Sequence, residues 1–527
     1  MKDASPLTNE STGSAVPAVR RASPPGATAP PRLLAAVAAV VLAVSACSSG
    51  GGPGPDNEDG PERPTGPADE LTAVDPAEVP GVEERTDGED DGDVAVDVAY
   101  PAVPGADPLT ERLGEITAAE VSDFTGANPG AKRISVDWGL SAAAEDVVAV
   151  RLVQREEDSE GERTGYATYW YDTGSGHTAY ATELIADQAG LADLNGLVRE
   201  RLADTEGVDP DALQPVLRVY DSMGFNPDGD LVVEFDAGQV APVKEGRVSA
   251  VVPRADAEPL LSEFGVRARD AATVVERGFA VASPAAAAPK DGPAEGVPGL
   301  LPERDPDLDC TAPDSKCLAL TFDDGPGERT PELLDALAEH DAKATFFVTG
   351  GPVREHPETV RRTYAEGHEL GNHTVEHPDL ARLGKGAIRE ELDTVDDLVR
   401  RETGADMSLM RPPYGSTDDQ VEEVAADLGH AQIIWSVDTN DWKDRKAGVV
   451  VDRVVDGAEP GAIILMHDIH GSTVDAVPRM LEKLDEKGYT MVTVSQLLGD
   501  TEPGRAYYDA PPERPEDAED GGGDQGD

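Results

Sequence analysis

Basic side chains are scarce in this chain of 527 residues: 44 Lys and Arg stand against 104 Asp and Glu, for a formal charge of -60. That imbalance excludes a general nucleic-acid binder, because phosphate contact needs a basic face. An acidic surface repels polyanions, tolerates neutral sugars and keeps the chain in solution. Cysteine is nearly absent, with three in the whole chain. Cys47 stands alone, and Cys310 and Cys317 flank "TAPDSK", a spacing that does not match a zinc ribbon. In an oxidising compartment the better reading of this pair is a disulfide that closes a short loop and contributes about 2–3 kcal/mol at most. No G-x-S-x-G segment is present, which disfavours a serine nucleophile. The apolar run "LLAAVAAVVLAV" (33–44) is too short to span a bilayer as a mature helix, and nothing else is long and apolar enough to do so.

What the run does suit is the core of a signal peptide, since Arg20, Arg21 and Arg32 precede it. "VSAC" (44–47) follows, and then "SSGGGPGPDNEDGPERPTGP". Small residues before a cysteine and a polar stretch after it resemble a bacterial lipoprotein signal with its lipobox. The resemblance implies cleavage before Cys47, lipidation of its thiol, and an extracytoplasmic protein anchored to the cell membrane; a plain secretory signal with a chance cysteine is the alternative. Residues 1–46 therefore read as signal. Residues 47–97, rich in Pro, Gly, Asp and Glu, read as a disordered tether. Over 98–280, "EDVVAVRLVQRE", "TGYATYWYDT" and "DLVVEFDAGQVAP" have strand character, whereas "ADLNGLVRERLAD" and "DAEPLLSEFG" have helical spacing, which predicts a compact α+β domain. Residues 281–309 hold an Ala/Pro/Gly spacer, and 501–527 read as a disordered acidic tail.

Between 310 and 500, apolar runs at 317–322, 344–348, 369–371, 408–411, 431–437, 462–466 and 489–494 alternate with amphipathic segments such as "PELLDALAEH" and "AIREELDTVDDLVRRE". The alternation predicts an α/β fold built on a parallel sheet: a distorted (β/α)7–8 barrel preceded by the smaller α+β domain. In a barrel the loops after the strands carry function. Five polar constellations stand at those places, "TFDDG" (321–325), "HTVEH" (373–377), "RPPY" (411–414), "DTNDW" (438–442) and "LMH" (465–467).

In this order the five closely resemble the motifs of the polysaccharide deacetylase family, also called the NodB-homology or carbohydrate esterase family 4 domain. The physical reading stands beside that resemblance. His373 and His377 are four apart, so one helical turn would put both imidazoles on the same side, within reach of one ion. Two histidines, one acid and open positions suit a catalytic divalent metal. This is not a zincin helix, because Thr374 follows His373. Asp324 is the expected third ligand. Adjacent residues on an extended strand point opposite ways, so Asp323 stays free to act as base. The alternative is two surface histidines and an acidic turn.

The resemblance implies the remaining roles. Arg411 pairs with Asp323 and lowers its pKa, and His467 is the general acid, paired with Asp441, which raises its pKa. The backbone N–H of Tyr414 faces the developing oxyanion. Trp442 and Leu465 wall a small pocket for the acetyl methyl group, although Leu465 reads equally well as ordinary core. Zinc is the ion implied most often. Asp438, Pro412, Pro413 and Gly325 read as architectural, His356, His368 and His430 as surface or packing histidines, and Asp468 and His470 receive no role.

Residues 135–270, through "YWYDTGSGHTAYATELIADQAGLADLNGLVRERL" and "LVVEFDAGQVAPVKEGRVSAVVP", resemble the extracytoplasmic domain of some cell-wall deacetylases and of lysozyme-sensing anti-sigma factors of the RsiV type. That implies binding to the wall or to a protein; a plain spacer is the alternative. Together these readings give an anchored, metal-dependent deacetylase acting on the N-acetyl groups of a wall glycan, peptidoglycan foremost. Chitooligosaccharide, acetylxylan, or a non-catalytic wall-binding or sensing lipoprotein are the competing readings.

Overall fold

The computed structural model describes residues 67–89, 94–144, 146–274, 296–312 and 314–510. The signal peptide, Cys47, the tether up to residue 66, linker residues 281–295 and tail residues 511–527 lie outside the described residues.

The first half is built on a six-stranded sheet. Strands β1 (Glu83–Glu89), β2 (Ala95–Ala102), β3 (Arg133–Ala144), β4 (Val147–Glu157), β5 (Glu162–Asp172) and β6 (His177–Tyr180) lie side by side in chain order. All neighbours are antiparallel except β2 and β3, and the helix Asp107–Ala127 supplies their crossover. Period-two alternation in β5 sends Tyr169 and Tyr171 to the face covered by that helix, where they pack with Leu109 and Leu113. Trp170 goes to the opposite face, against Tyr220, Phe225 and Phe235. There the sheet meets a second, three-stranded antiparallel sheet of β7 (Ser222–Phe225), β8 (Leu231–Phe235) and β9 (Val248–Val252). The aromatic cluster thus serves two cores at once.

Part of the expected tether is ordered structure. Residues 67–97 include a 3-10 turn at Pro76–Glu78 and the whole of β1. The few apolar residues there are used as anchors: Val74 and Val79 are both 4% exposed, and the Val74 N–H donates to Leu140 O at 2.8 Å. Composition averaged over the segment hides such isolated anchors.

The second half carries β10 (Cys317–Asp323), β11 (Thr345–Val348), β12 (Glu369–Asn372), β13 (Leu409–Met410), β14 (Ala431–Ile433), β15 (Val437–Asp438), β16 (Ile463–His467), β17 (Thr490–Val492) and β18 (Ala506–Tyr507). They form one parallel sheet in the order β15-β16-β10-β11-β12-β13-β14-β18, with β17 against the start of β10. Strands β14 and β15 lie near opposite ends of that order, yet only Ile434, Trp435 and Ser436 separate them in sequence. The sheet therefore curls, so that one short segment links strands from near its two edges. The single strand expected at 431–437 is two short strands, and the expected tail contributes β18.

Alternation sorts the side chains of this sheet. Leu318, Leu320 and Phe322 of β10 face the surrounding helices and pack with Leu333, Leu337 and Met480. Cys317 and Ala319 face inward with Phe347, Leu409 and Ile463. Thr321 and Asp323 continue the inward row toward the C-terminal end of the strand. A disulfide joins Cys310 and Cys317 at the strand's start.

The halves meet along the helix Lys385–Thr403, which contacts the helix Asp107–Ala127. It stops at Gly404, whose left-handed φ of 81° suits a helix C-terminus. A Cβ there would come 2.8 Å from the Leu217 side chain, so the close approach also requires glycine. Among the described residues, no helix is long and apolar enough to cross a membrane.

Candidate active site

The five constellations converge at the C-terminal ends of β10, β12, β13, β15 and β16. Parallel pairing of β10 with β16 aligns three inward layers, Ala319 with Ile463, Thr321 with Leu465, and Asp323 with His467. The uppermost layer sets a carboxylate beside an imidazole on adjacent strands.

Asp323 is held by Arg411, which follows β13 and is 0% exposed. Its Nη1 donates to Asp323 Oδ1 and to Thr321 Oγ1, each at 2.7 Å. Nε donates to Ile433 O at 2.9 Å and Nη2 to Ile434 O at 3.0 Å. The guanidinium lies 4.2 Å from the Phe347 ring centre and 5.8 Å from that of Trp435. A fork tied at this many points fixes the carboxylate it holds. Burial pushes the Asp323 carboxyl above its ordinary value and outweighs the opposing pull of Arg411. The expectation of a lowered pKa is thus corrected: Arg411 pulls in the expected direction, but desolvation is larger.

The backbone turns sharply at Asp324, whose φ of 72° is left-handed. Strand alternation ends at Asp323, and both carboxylates face the same histidine: His373 Nε2 is 3.7 Å from Asp323 Oδ2 and 3.6 Å from Asp324 Oδ1. The two acids do not point opposite ways. They are told apart by Arg411, which holds one and leaves the other.

His373 follows β12 and is 2% exposed. Its Nδ1 lies 2.7 Å from Arg411 O, which can only accept, so Nδ1 carries the proton and Nε2 presents a lone pair. Burial pushes this imidazole down to about 3 and keeps it neutral. His377 Nε2 lies 3.5 Å from the same Asp324 Oδ1. No helix joins the two histidines. Residues 373–377 form an irregular turn with positive φ at Thr374 (69°) and His377 (54°). Asn372 Oδ1 accepts the Thr374 N–H at 2.9 Å, Thr374 Oγ1 accepts the His377 N–H at 3.1 Å, and Glu391 Oε2 accepts the Val375 and Glu376 N–H groups at 2.9 Å each. The spacing of four brings the two rings to a centroid separation of 5.0 Å through a different backbone path from the expected one.

One ligand atom each from Asp324, His373 and His377 lies within 4.8 Å of the others. Tetrahedral bonds of 2.0–2.1 Å place neighbouring ligand atoms about 3.4 Å apart. The 3.5 and 3.6 Å separations from Asp324 Oδ1 match that edge and are too long for hydrogen bonds. Two imidazoles and one carboxylate fit a divalent cation.

His467 completes the floor. Its Nδ1 donates to Asp441 Oδ1 and its backbone N–H to Asp441 Oδ2, both at 2.8 Å. Thr473 Oγ1 donates to Asp441 Oδ2 at 2.6 Å, and the Trp442 N–H to Oδ1 at 2.9 Å. Burial alone would push His467 down. The hydrogen bond to Asp441 and the charges of Asp323, Asp441 and Asp324 outweigh it and lift the imidazole to about 9. Burial likewise works to raise Asp441, but His467 and Thr473 hold it below its ordinary value.

Leu465 is 5% exposed and lies one inward layer beneath His467. Trp442 and Tyr414 are 49% and 70% exposed and stand at the rim. The Tyr414 ring packs edge-on against His377, centroids 4.7 Å apart, with its hydroxyl 3.2 Å from His377 Nδ1. Among the described residues, five of the seven non-glycine residues at positive φ, Asp324, Thr374, His377, Tyr414 and Asn440, lie in these loops. Such conformations cost about 1–3 kcal/mol each and concentrate where geometry is held for function.

Four supporting residues escaped the sequence reading: Asn372, Glu391, Thr473 and Asp468. Asn372 and Asp468 had a local signal, since one directly precedes His373 and the other directly follows His467. Asp468, to which no role was given, is 1% exposed, accepts the Thr330 hydroxyl, and packs so close to Gly325 that a Cβ there would sit 2.2 Å from its Oδ1. It braces the loop that follows Asp324.

A family model described as polysaccharide deacetylase matches residues 311–433. The peptidoglycan-N-acetylglucosamine deacetylase PgdA of Listeria monocytogenes is 43% identical over 37% of this chain and 42% of its own length. The peptidoglycan-N-acetylmuramic acid deacetylase PdaC of Bacillus subtilis is 41% identical over 35% of this chain and 39% of its own. The chitooligosaccharide deacetylase of Sinorhizobium fredii is 37% identical over 34% of this chain and 89% of its own. The chain thus spans well under half the length of the first two relatives and most of the third.

Proposed function

Because this chain belongs to the polysaccharide deacetylase family, we propose that it is a metal-dependent deacetylase that hydrolyses the N-acetyl amides of a cell-wall glycan, peptidoglycan foremost. The observation that carries the reading is the placement of an Arg411-held carboxylate between three side-chain donors able to share one ion and an Asp441-held imidazole.

Asp324, His373 and His377 would hold the ion, with zinc favoured by the donor set. When bound, a divalent ion acidifies water and polarises a carbonyl oxygen. Asp323 accepts a proton from the attacking water at Oδ2, the oxygen that Arg411 leaves free. The Tyr414 N–H is the proposed donor to the acyl oxygen as it gains charge. His467 delivers a proton from Nε2 to the departing amine, while Asp441 keeps Nδ1–H in place. Water and amide become acetate and amine. Trp442 at the rim and Leu465 beneath His467 are assigned to the acetyl methyl.

Finer readings belong to the same proposal. The catalytic fold is read as a distorted (β/α)7–8 barrel and the preceding sheets as an RsiV-like accessory domain. The lipobox-like "VSAC" supports an extracytoplasmic protein held at the membrane by a lipid on Cys47. The test is mass spectrometry of muropeptides after incubation with the metal-loaded protein, with N-acetylglucosamine oligomers and acetylated xylan in parallel. Loss of an acetyl group from glucosamine or from muramic acid names the sugar. Turnover of the oligomers alone favours a chitooligosaccharide enzyme, and no turnover of any substrate returns the chain to a binding role.

A pH profile probes the His467–Asp441 pair. His467 donates only while protonated, so activity is expected to fall on the alkaline side near a pH of about 9. Asp441→Asn removes the negative partner and should move that limb down by about 1–3 units. An unmoved limb would assign the alkaline titration to another group. The same raised pKa stabilises the fold fully below the ordinary value of about 6.5, and that contribution is lost as pH rises through about 9.

A further inference from the structure

A cavity of about 440 Å³ lies between the six-stranded sheet and the helices flanking the parallel sheet. That volume is in the range of about 300–1,000 Å³ typical of small-molecule sites. All its walls belong to one compact unit. Arginines from the parallel-sheet half pin the two sides together: Arg354 Nη2 donates to Ala127 O at 3.0 Å, Arg400 Nη1 to Asp123 Oδ1 at 2.7 Å, and Arg401 Nη2 to both Glu156 oxygens at 2.8 Å. The cavity is formed in advance, not left by a loose junction.

Its charges are sorted by wall. The parallel-sheet half lends three arginines and one acid, Glu402, whereas the opposite wall carries six carboxylates and two arginines. On the basic wall, Arg361 is 4% exposed and spends Nη1 on Glu402 and Nη2 on Gln239 O, yet its Nε is buried with no hydrogen-bond acceptor. Arg401 Nη1 is left in the same state. Buried donors without acceptors are costly and rare in folded proteins. On the acidic wall, Asp236 accepts the Tyr166 N–H at 2.7 Å but forms no ion pair among the described residues, and Asp221 reaches Arg218 only at 3.5 Å. Burial pushes both of these carboxyls up, Asp236 to about 6, as expected for acids lacking a matched cation.

The arginines of one wall suit a carboxylate, and the two under-matched carboxylates of the other suit an ammonium. We propose that this cavity is a second binding site, for a short peptide bearing a free carboxylate and a free ammonium, oriented with the carboxylate toward Arg361 and Arg401 and the ammonium toward Asp221 and Asp236. A free oligopeptide and the peptide arm of peptidoglycan both offer that chemistry. Because the site touches both halves, its ligand would bind them together. None of these residues belongs to the deacetylase machinery, so the inference stands apart from the catalytic reading.

Isothermal titration of the full chain with trialanine, with its N-acetylated and C-amidated counterpart, and with a disaccharide-peptide from peptidoglycan tests it. Trialanine or the disaccharide-peptide should bind at one site per chain, and whichever binds names the source. The capped peptide should bind at least about tenfold more weakly than trialanine, and Asp236→Asn and Arg361→Gln should each weaken the bound probe by about tenfold or more. Both variants should keep wild-type turnover of N-acetylglucosamine oligomers. Equal affinity for capped and free trialanine, no heat from either zwitterionic probe at millimolar concentration, or displacement of the peptide by an N-acetylglucosamine trimer would overturn the proposal. The capped-peptide comparison needs no variant, so a misfolded substitution leaves the test intact.

Discussion

Asp323→Asn is expected to lower kcat on an N-acetylglucosamine oligomer by about 10²–10⁴-fold, the range for loss of a positioned proton acceptor, while the protein keeps its metal. The separation of the two effects follows from the geometry. Asp323 is fixed through Oδ1 by a buried guanidinium that also grips Thr321 and two backbone carbonyls. An asparagine Oδ1 can still accept from Arg411, so the fork and the fold survive. What is lost is basicity at Oδ2, the oxygen that faces His373 Nε2 at 3.7 Å. Kinetics alongside elemental analysis of the same preparation check this. A variant with wild-type turnover would remove Asp323 from its role, and one that lost its ion would make Asp323, rather than Asp324, the binding carboxylate.

His377→Ala should abolish both properties together. The three donors share one small volume, with Asp324 Oδ1 at 3.5 Å from His377 Nε2 and 3.6 Å from His373 Nε2. Removing one leaves a two-donor site open to solvent. Even outer-shell substitutions cost about 10–100-fold in metal affinity, so loss of a ligand should exceed that. Competition titration with a chelator gives the affinity, and turnover should fall in proportion to occupancy, because without the ion nothing acidifies the water. Retained affinity in His377→Ala would show that this imidazole faces the site without serving it.

The sequence made the parallel sheet legible because each strand is a short apolar run closed by polar residues, and β10, β11, β12 and β16 fall where those runs are. Asp324, His373 and His377 were legible as types at a spacing. Their backbone was not. The pattern suggested a helical turn for "HTVEH" and opposed side chains for the two aspartates, whereas left-handed residues at Asp324, Thr374 and His377 bend both segments into the site. Propensity disfavours that conformation in non-glycine residues, and only tertiary contacts hold it. Those contacts are distant in sequence: Glu391 holds the turn from 16 residues away, Thr473 holds Asp441 from 32, and Thr330 meets Asp468 from 138. Local pattern carries no trace of such pairings. For Arg411 the resemblance gave the right partner, but the net effect on Asp323 depends on desolvation that only the packed structure reveals. Segments 67–97 and 501–510 were misjudged for a related reason. Val74, Val79 and Tyr507 each dock singly on strands that the sequence does not show to be near.

The account rests on one cation bound by Asp324, His373 and His377 with Asp323 outside its ligand set. Anomalous diffraction from crystals loaded with zinc, collected at the metal edge, tests this most directly. The expected map has one strong peak about 2.0–2.2 Å from Asp324 Oδ1, His373 Nε2 and His377 Nε2, with both Asp323 oxygens beyond bonding distance. A peak bonded to Asp323, or a saturated crystal with no peak among these three side chains, would contradict it.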